Sequence, residues 1–245
     1  MTDPGLRLDW CSYEAAKYAC EHWHYGIAVI KQKKVKIGVW EDGVFVGCVL
    51  FGDGANHRVF EPYGLRYEEG CELVRIALRG HRTPVSRIVR IALGMLRRRC
   101  PGLRLVISFA DPEHGHVGAI YQAGNWLYAG MTAPADEYIV NGKRMHGRAL
   151  RSTRSHYRRD VTRVPNVMAW AARALDPNVR RVVGSAKHRY LMPLDAQMRQ
   201  RLAPLARPYP KLGRAGVGSD TPAVRAGEGA AMRPHGSMLS PEAAG

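Results

Sequence analysis

Two short apolar runs, ELVRIAL at 72–78 and LRLVISF at 103–109, bracket a segment whose apolar residues recur at helical spacing, and this alternation constrains the fold more than any other feature of the chain. Val85, Ile88, Val89, Ala92, Met95 and Leu96 lie on one stripe while Arg87, Arg90, Arg97 and Arg98 lie off it, as in a helix with one buried face. Thr83 reads as the N-cap and Pro84 as the first helical residue, and Pro101-Gly102 stops the helix. Strand, helix and strand in this order are the elements of a mixed α/β sheet.

The flanking sequence extends the pattern. Ser12 caps a predicted helix over 13–23, with Ala16, Ala19, Cys20 and Trp23 on one face. Runs at 36–40 and 44–51 are joined through Asp42-Gly43, a hairpin signal. After the strand at 103–109 come Asp111-Pro112, a short helix at about 117–123 stopped by Gly124, and two strands at 126–129 and 137–140, the latter ending in an Asn141-Gly142 turn. The expected order is helix, hairpin, strand, helix, strand, helix, strand, strand, forming a mixed central sheet flanked by helices.

Charge points to the partner class. The chain of 245 residues carries a formal +16, an excess that draws polyanions by counterion release whatever the fold. Between Arg151 and Arg214, fifteen Lys and Arg face three acids (Asp160, Asp176, Asp195). That step predicts a core over 1–150, a basic, partly helical extension over 151–203, and, from Pro204 on, a Pro- and Gly-rich tail over 204–245 too poor in large apolar residues to order itself. In the extension Arg154, Arg158, Arg159, Lys187 and Arg189 interleave with His156, Tyr157, His188 and Tyr190, a mixture that contacts phosphates and stacks on bases; the alternative is a solvated charged face. Five scattered cysteines encode neither a disulfide framework nor a zinc ribbon. With no apolar run long enough to span a bilayer and no signal-peptide pattern, the chain reads as soluble and cytoplasmic.

Strand 72–78 feeding the helix at Pro84, the strand ending at Asp111, and AIYQAGNW at 119–126 together resemble acyltransferases of the GNAT fold. More narrowly, WEDG at 40–43, ELVRIAL at 72–78, TPVSRI at 83–88, SFADPE at 108–113, IYQAGNW at 120–126 and DEYIVNGKRMHGR at 136–148 resemble the Mom family of bacteriophage DNA-modification proteins. The resemblance spans about residues 23–148. It implies conversion of adenine in DNA to N6-carbamoylmethyladenine, which hides restriction sites. Acylation of adenine N6 by glycine, followed by attack of the free amine on C6, accounts for that product, so a glycyl donor is expected, glycyl-tRNA ahead of glycyl-coenzyme A. The competing readings are a GNAT acyltransferase acting on a small amine or protein, and a non-enzymatic basic DNA-binding protein.

The resemblance places Tyr121 at the family's tyrosine, where a phenol protonates the leaving group; otherwise it packs the helix on the sheet. Asp111, at the carboxyl end of its strand, is either a base or orienting group for adenine N6 or a turn residue before Pro112. Arg75, a guanidinium within an apolar strand, needs a partner: Glu72, Asp111, or a phosphate or acyl oxygen. His24 and Tyr25 match a His-Tyr pair of the family and, with Ser108 and Asp136, are expected around the substrate base. Arg79, Arg82, Ser86 and Arg87 surround the turn RGHRTP at 79–84, a poor coenzyme A cradle with one glycine and an N–H lost to Pro84. Their positive charge suits an RNA phosphate better. His24, Asp111 and His116 form a candidate set for iron(II), the metal that the resemblance suggests; surface histidines are the alternative.

Overall fold

In the computed structural model, which describes residues 5–24, 34–53, 58–156 and 166–211, seven strands form one sheet in the order β1-β2-β3-β4-β5-β10-β6. The strands are β1 (Leu6–Trp10), β2 (Lys34–Glu41), β3 (Val44–Gly52), β4 (Gly70–Leu78), β5 (Leu105–Ala110), β6 (Leu127–Met131) and β10 (His188–Pro193). Neighbours are antiparallel except β4 and β5, which run parallel. The mixed α/β reading holds. A second sheet of three strands follows, β7 (Asp136–Val140) between β8 (Lys143–His146) and β9 (Arg180–Val183).

Local chemistry explains the turns. Asp42 and Gly43 both take positive φ, 50° and 80°, as do Asn141 and Gly142, 49° and 73°, so both hairpins use the primed turn that matches strand twist. Of the predicted stripe, Ile88, Val89, Ala92 and Leu96 of α2 (Val85–Arg99) are buried on one face of the sheet, where α3 (Ala119–Ala123) also lies, joined by Leu93, which the stripe did not include, while Val85 and Met95 are partly buried. The opposite face has two separate covers. α1 (Tyr13–Trp23) lays Ala16, Ala19 and Cys20 over Cys48, Leu50 and Ala77, while α6 (Ala196–Leu202) covers Leu105, Ile107 and Leu191 with Met198 and Leu202. β4 and β5, neighbours in the sheet, belong to different covers.

Several expectations are corrected. Pro84, at φ −54° and ψ 133°, is the cap residue itself, so the helix starts at Val85 and Thr83 is not the N-cap; the Thr83 and Arg82 N–H groups donate instead to the Glu41 carboxylate, both at 2.8 Å. β1 escaped prediction because it is a short edge strand paired only with β2, with little apolar pattern. Residues 137–140 belong to the second sheet, not the first, because their hydrogen bonds go to β8 and β9. The composition step at Leu150 does not mark the end of the core: β10 lies inside the central sheet, between β5 and β6, its Tyr190 and Leu191 fully buried. Around the second sheet, α4 (Gly147–Ser155) and α5 (Val167–Ala174) bury Leu150, Trp170 and Ala171 against Tyr138 and Val140.

Pro204 is not the point where order ends. Residues 204–211 are tied to the core: Arg207 N donates to Tyr128 O at 2.8 Å, the Tyr209 hydroxyl to Trp126 O at 2.7 Å, and Gln122 Nε2 to Pro210 O at 3.4 Å. The remainder of the predicted tail lies outside the described residues. None of the five cysteines joins a disulfide. Among the described residues no helix is long and apolar enough to cross a membrane.

Candidate functional site

The site begins with a failure of pairing. β4 and β5 pair only through Gly70, Cys71 and Glu72 against Leu105, Val106 and Ile107. In β4 a bulge then intervenes, since Leu50 opposes Arg75 and Phe51 opposes Leu73, leaving Val74 as the extra residue. Past Glu72 the parallel ladder stops, and Leu73 O takes its hydrogen bond from a side chain, the Ser108 hydroxyl of β5 at 2.9 Å. The Tyr121 hydroxyl lies 2.7 Å from Ser108 Oγ. Serine has one proton to give, so the order that satisfies both contacts is Tyr121 donating to Ser108 and Ser108 donating to Leu73 O.

This relay crosses the opening between the two strands. Ser108 and Tyr121 lie on the α2 and α3 side, where the Tyr121 ring packs against Trp126 and Tyr190 with centroids 5.1 and 5.0 Å apart. Gly118, with φ 82°, lets α3 start against Tyr190: a Cβ there would fall 2.3 Å from that ring. Tyr121 is 8% exposed, which keeps bulk water from its hydroxyl.

Beside the same opening, Arg75 and Lys187 lie close enough to Glu72 to favour its charged form, and Lys187 in turn reaches Asp111. The Asp111 carboxylate, 7% exposed, meets Lys187 Nζ at 3.0 Å and accepts from the Ser185 hydroxyl at 3.2 Å and Glu113 N at 3.1 Å. Burial alone would raise its pKa, but the hydrogen bond and charge of Lys187, with the Glu113 and Ser185 donors, hold it below the ordinary carboxylate value. Asp111 is therefore ionised at neutral pH and too weak a base to take a proton; its chemistry is to orient Lys187. Of the two sequence readings for Asp111, the turn before Pro112 is seen directly, since its side chain caps the short helical turn Pro112–His114 through Glu113 N, and the contact with Lys187 is additional to it.

Glu72 is the better base. Burial pushes its carboxyl up to about 7, against the partial offset of Arg148, Arg75 and Lys187, and a carboxylate with that pKa matches neutral pH. If the site performs proton-transfer chemistry, Glu72→Gln is expected to lower its rate about 100-fold and to remove the limb of the pH–rate profile that rises through about pH 7. Because the folded-state pKa lies above the unfolded value, Glu72 stabilises the fold at low pH, and that contribution fades as pH climbs from about 4.5 to about 7. At pH 8 the Gln variant should accordingly melt no lower than the parent; a lower melting temperature with an unaltered profile would make Glu72 structural.

Two buried guanidinium nitrogens, Arg75 Nε and Arg189 Nε, have no hydrogen-bond partner among the described residues. Arg75 Nη1 donates to Val74 O at 2.9 Å and Arg189 Nη1 to the Tyr63 hydroxyl at 3.3 Å. Buried donors left without acceptors are costly, and both guanidinium groups bring positive charge beside the site.

The other predicted residues are placed as follows. Lys187 and Arg189, read as part of a nucleic-acid surface, are tied into the site, to Asp111 and Tyr63. Asp136 sits apart, in the second sheet, where Arg181 Nε donates to it at 2.9 Å. His24 is the C-terminal cap of α1, and Tyr25, Arg158 and Arg159 lie outside the described residues. Arg154 lies in the last turn of α4. Ser86 and Arg87 are in the first turn of α2, Arg79 is exposed with its N–H donating to Val46 O at 2.9 Å, and Arg82 folds back onto Glu41, at 3.8 Å, and Asp42. For a metal, no three His, Cys, Asp or Glu side chains converge among the described residues, and the ammonium on Asp111 opposes a cation there; the set His24, Asp111 and His116 does not fit iron(II) in this arrangement.

The sequence pattern of the Mom protein family matches residues 5–211. The chain is also 26% identical, over 218 residues, to the protein described as methylcarbamoylase mom of Escherichia phage Mu; the match covers 84% of each chain.

Proposed function

The chain belongs to the Mom family, and from that premise we propose that it modifies adenine in DNA, leaving a carbamoylmethyl group on N6, by glycyl transfer through the opening between β4 and β5. The observation that carries the reading is the arrangement around that opening: a phenol–hydroxyl relay on one side, and a carboxylate of near-neutral pKa beside a lysine-held aspartate on the other.

The steps balance without a redox partner. Adenine, flipped from the stack, presents N6 at the opening, where Glu72 takes a proton as N6 bonds to the glycyl carbonyl carbon. The carbonyl oxygen, negative as the bond forms, is stabilised by the positive charge of Arg75. As the bond from that carbon to the carrier oxygen breaks, Tyr121 gives the leaving oxygen its proton. The resulting N6-glycyl amide carries a free amine that can reach C6 by closing a five-membered ring of C6, N6, the carbonyl carbon, the methylene carbon and the amine nitrogen. That amine attacks C6, the original nitrogen leaves the ring as a primary amide, and the isomeric carbamoylmethyl group remains. An ester of glycine on tRNA is the donor this chemistry suits best.

The basic lobe formed by β7, β8, β9, α4 and α5 serves the DNA. Lys143, Arg148, Arg151 and Arg180 are exposed on it, and Arg148 is close enough to Glu72 to stabilise its charge. Nucleoside mass spectrometry of DNA treated with the purified protein and glycyl-tRNA carrying 15N-glycine is the test. A deoxyadenosine heavier by one glycyl unit, with the label on the nitrogen attached to the ring, is the expected product. Unmodified DNA from folded protein, or label only in the amide, would overturn the proposal.

A further inference from the structure

The N-terminus of α2 follows β4, at the sheet edge where the site opens, and presents backbone N–H groups at the positive end of a 15-residue helix. Such a turn is the natural seat for a diphosphate. Here the two residues just before the cap Pro84, Arg82 and Thr83, already hold an anion that belongs to the protein. The two carboxylate oxygens of Glu41 accept one N–H each, Oε2 from Arg82 N and Oε1 from Thr83 N, both at 2.8 Å, and the side chain is 4% exposed. The arrangement is built up on both sides. Arg82 closes over it, with Nε 3.8 Å from Glu41 Oε2 and its other end on Asp42, while Asp42 accepts from Gly5 N at 2.9 Å and so ties the turn to the start of β1. Pro84, next in the turn, has no N–H to offer.

We propose that Glu41 is a specificity-determining residue: its carboxylate occupies the two backbone donors of the turn that leads into α2 and bars carriers that would place a diphosphate in that turn, coenzyme A among them. A diphosphate and a buried carboxylate cannot share two N–H donors, and moving Glu41 aside would strand both donors or bury the displaced charge. Burial would raise the Glu41 pKa, but the bonds from Thr83 and Arg82 hold it below the ordinary value, so the seat stays filled by a charge at physiological pH. Phosphates of a permitted donor therefore meet side chains outside the turn, of which Arg79, Arg87 and Arg90 are exposed. The inference rests on the glycyl-transfer reading for its meaning as donor selection, whereas the closed turn stands by itself.

The test is calorimetric titration of the full chain with coenzyme A and with inorganic pyrophosphate, beside Glu41→Gln, together with amide hydrogen exchange at Arg82 and Thr83. For the parent, no saturable binding of either ligand at millimolar concentration is expected, and both amides stay protected with pyrophosphate present. Glu41→Gln, which removes the charge and keeps one acceptor, should bind pyrophosphate at least about tenfold more tightly than the parent. Saturable coenzyme A binding by the parent would overturn the proposal, as would a folded Glu41→Gln protein that binds pyrophosphate no better. If the variant does not fold, the exchange measurement on the parent decides: deprotection or altered exchange of Arg82 and Thr83 by pyrophosphate sinks the idea. Parent protein that ignores coenzyme A yet leaves DNA unmodified with glycyl-tRNA would end the transfer reading and leave the closed turn intact.

Discussion

Tyr121→Phe is expected to cut formation of modified deoxyadenosine by a factor of about 100 to 10,000, the range of a lost general acid. The fold should survive. The ring keeps its contacts with Trp126 and Tyr190, and Ser108 keeps its bond to Leu73 O, so the loss is one hydrogen bond, about 1 kcal/mol. Ser108→Ala offers the complementary measurement. It leaves the phenol in place but removes its acceptor, so it should cost less, about tenfold, and raise the dependence of rate on leaving-group pKa. Single-turnover rates for both variants with intact melting curves would establish the relay; a Tyr121→Phe protein with parental rates would remove the phenol from the mechanism.

The second large effect is expected at Asp111. Asp111→Asn removes the negative charge that faces Lys187, and with Lys187→Met the same contact is broken from the other side. Each single variant should lose about 100-fold in product formation. The double variant should lose scarcely more than either, because the two side chains act as one unit, and the coupling measured this way should exceed about 1 kcal/mol. Simple multiplication of the single effects would show that the pair is two independent residues. The pH dependence has a definite sign: the lowered pKa of Asp111 means the pair is intact above the ordinary carboxylate pKa and is lost as pH falls through the lower folded value.

Much of the frame was legible because it rests on local rules. The stripe of α2 needs only periodicity, and the Asp42-Gly43 and Asn141-Gly142 turns need only residues that accept positive φ. The resemblance names Tyr121 for the leaving group and Ser108 for the substrate base, and only the structure joins the two by a hydrogen bond. What stayed hidden depends on contacts distant in sequence. β10 has few apolar residues in a basic stretch, and its partner β5 lies some eighty residues earlier in the chain. Glu72 reads as the polar start of a strand; only its burial beside the end of the β4–β5 ladder raises its pKa. Glu41 reads as the residue before a hairpin turn, and the N–H groups it receives are more than forty positions away. Lys187 falls among so many cations that nothing in the sequence distinguishes it from them; the one signal available was that Asp111, a charge at the end of an apolar strand, required a cation from somewhere.

The place of β10 governs when this protein comes into being during synthesis. β5 and β6 are both made well before the strand that joins them, and until residues 188–193 leave the ribosome each keeps an open edge and the sheet ends at β5. Such late, long-range pairing slows folding and leaves the nascent chain dependent on protection from aggregation. The same strand brings Lys187, the residue just before it, to Asp111. Completion of the sheet and arrival of the lysine are therefore a single event, and a truncated or unfinished chain has no way to be folded yet half-competent. Among the described residues, the last strand to be translated thus closes the sheet and delivers the lysine together.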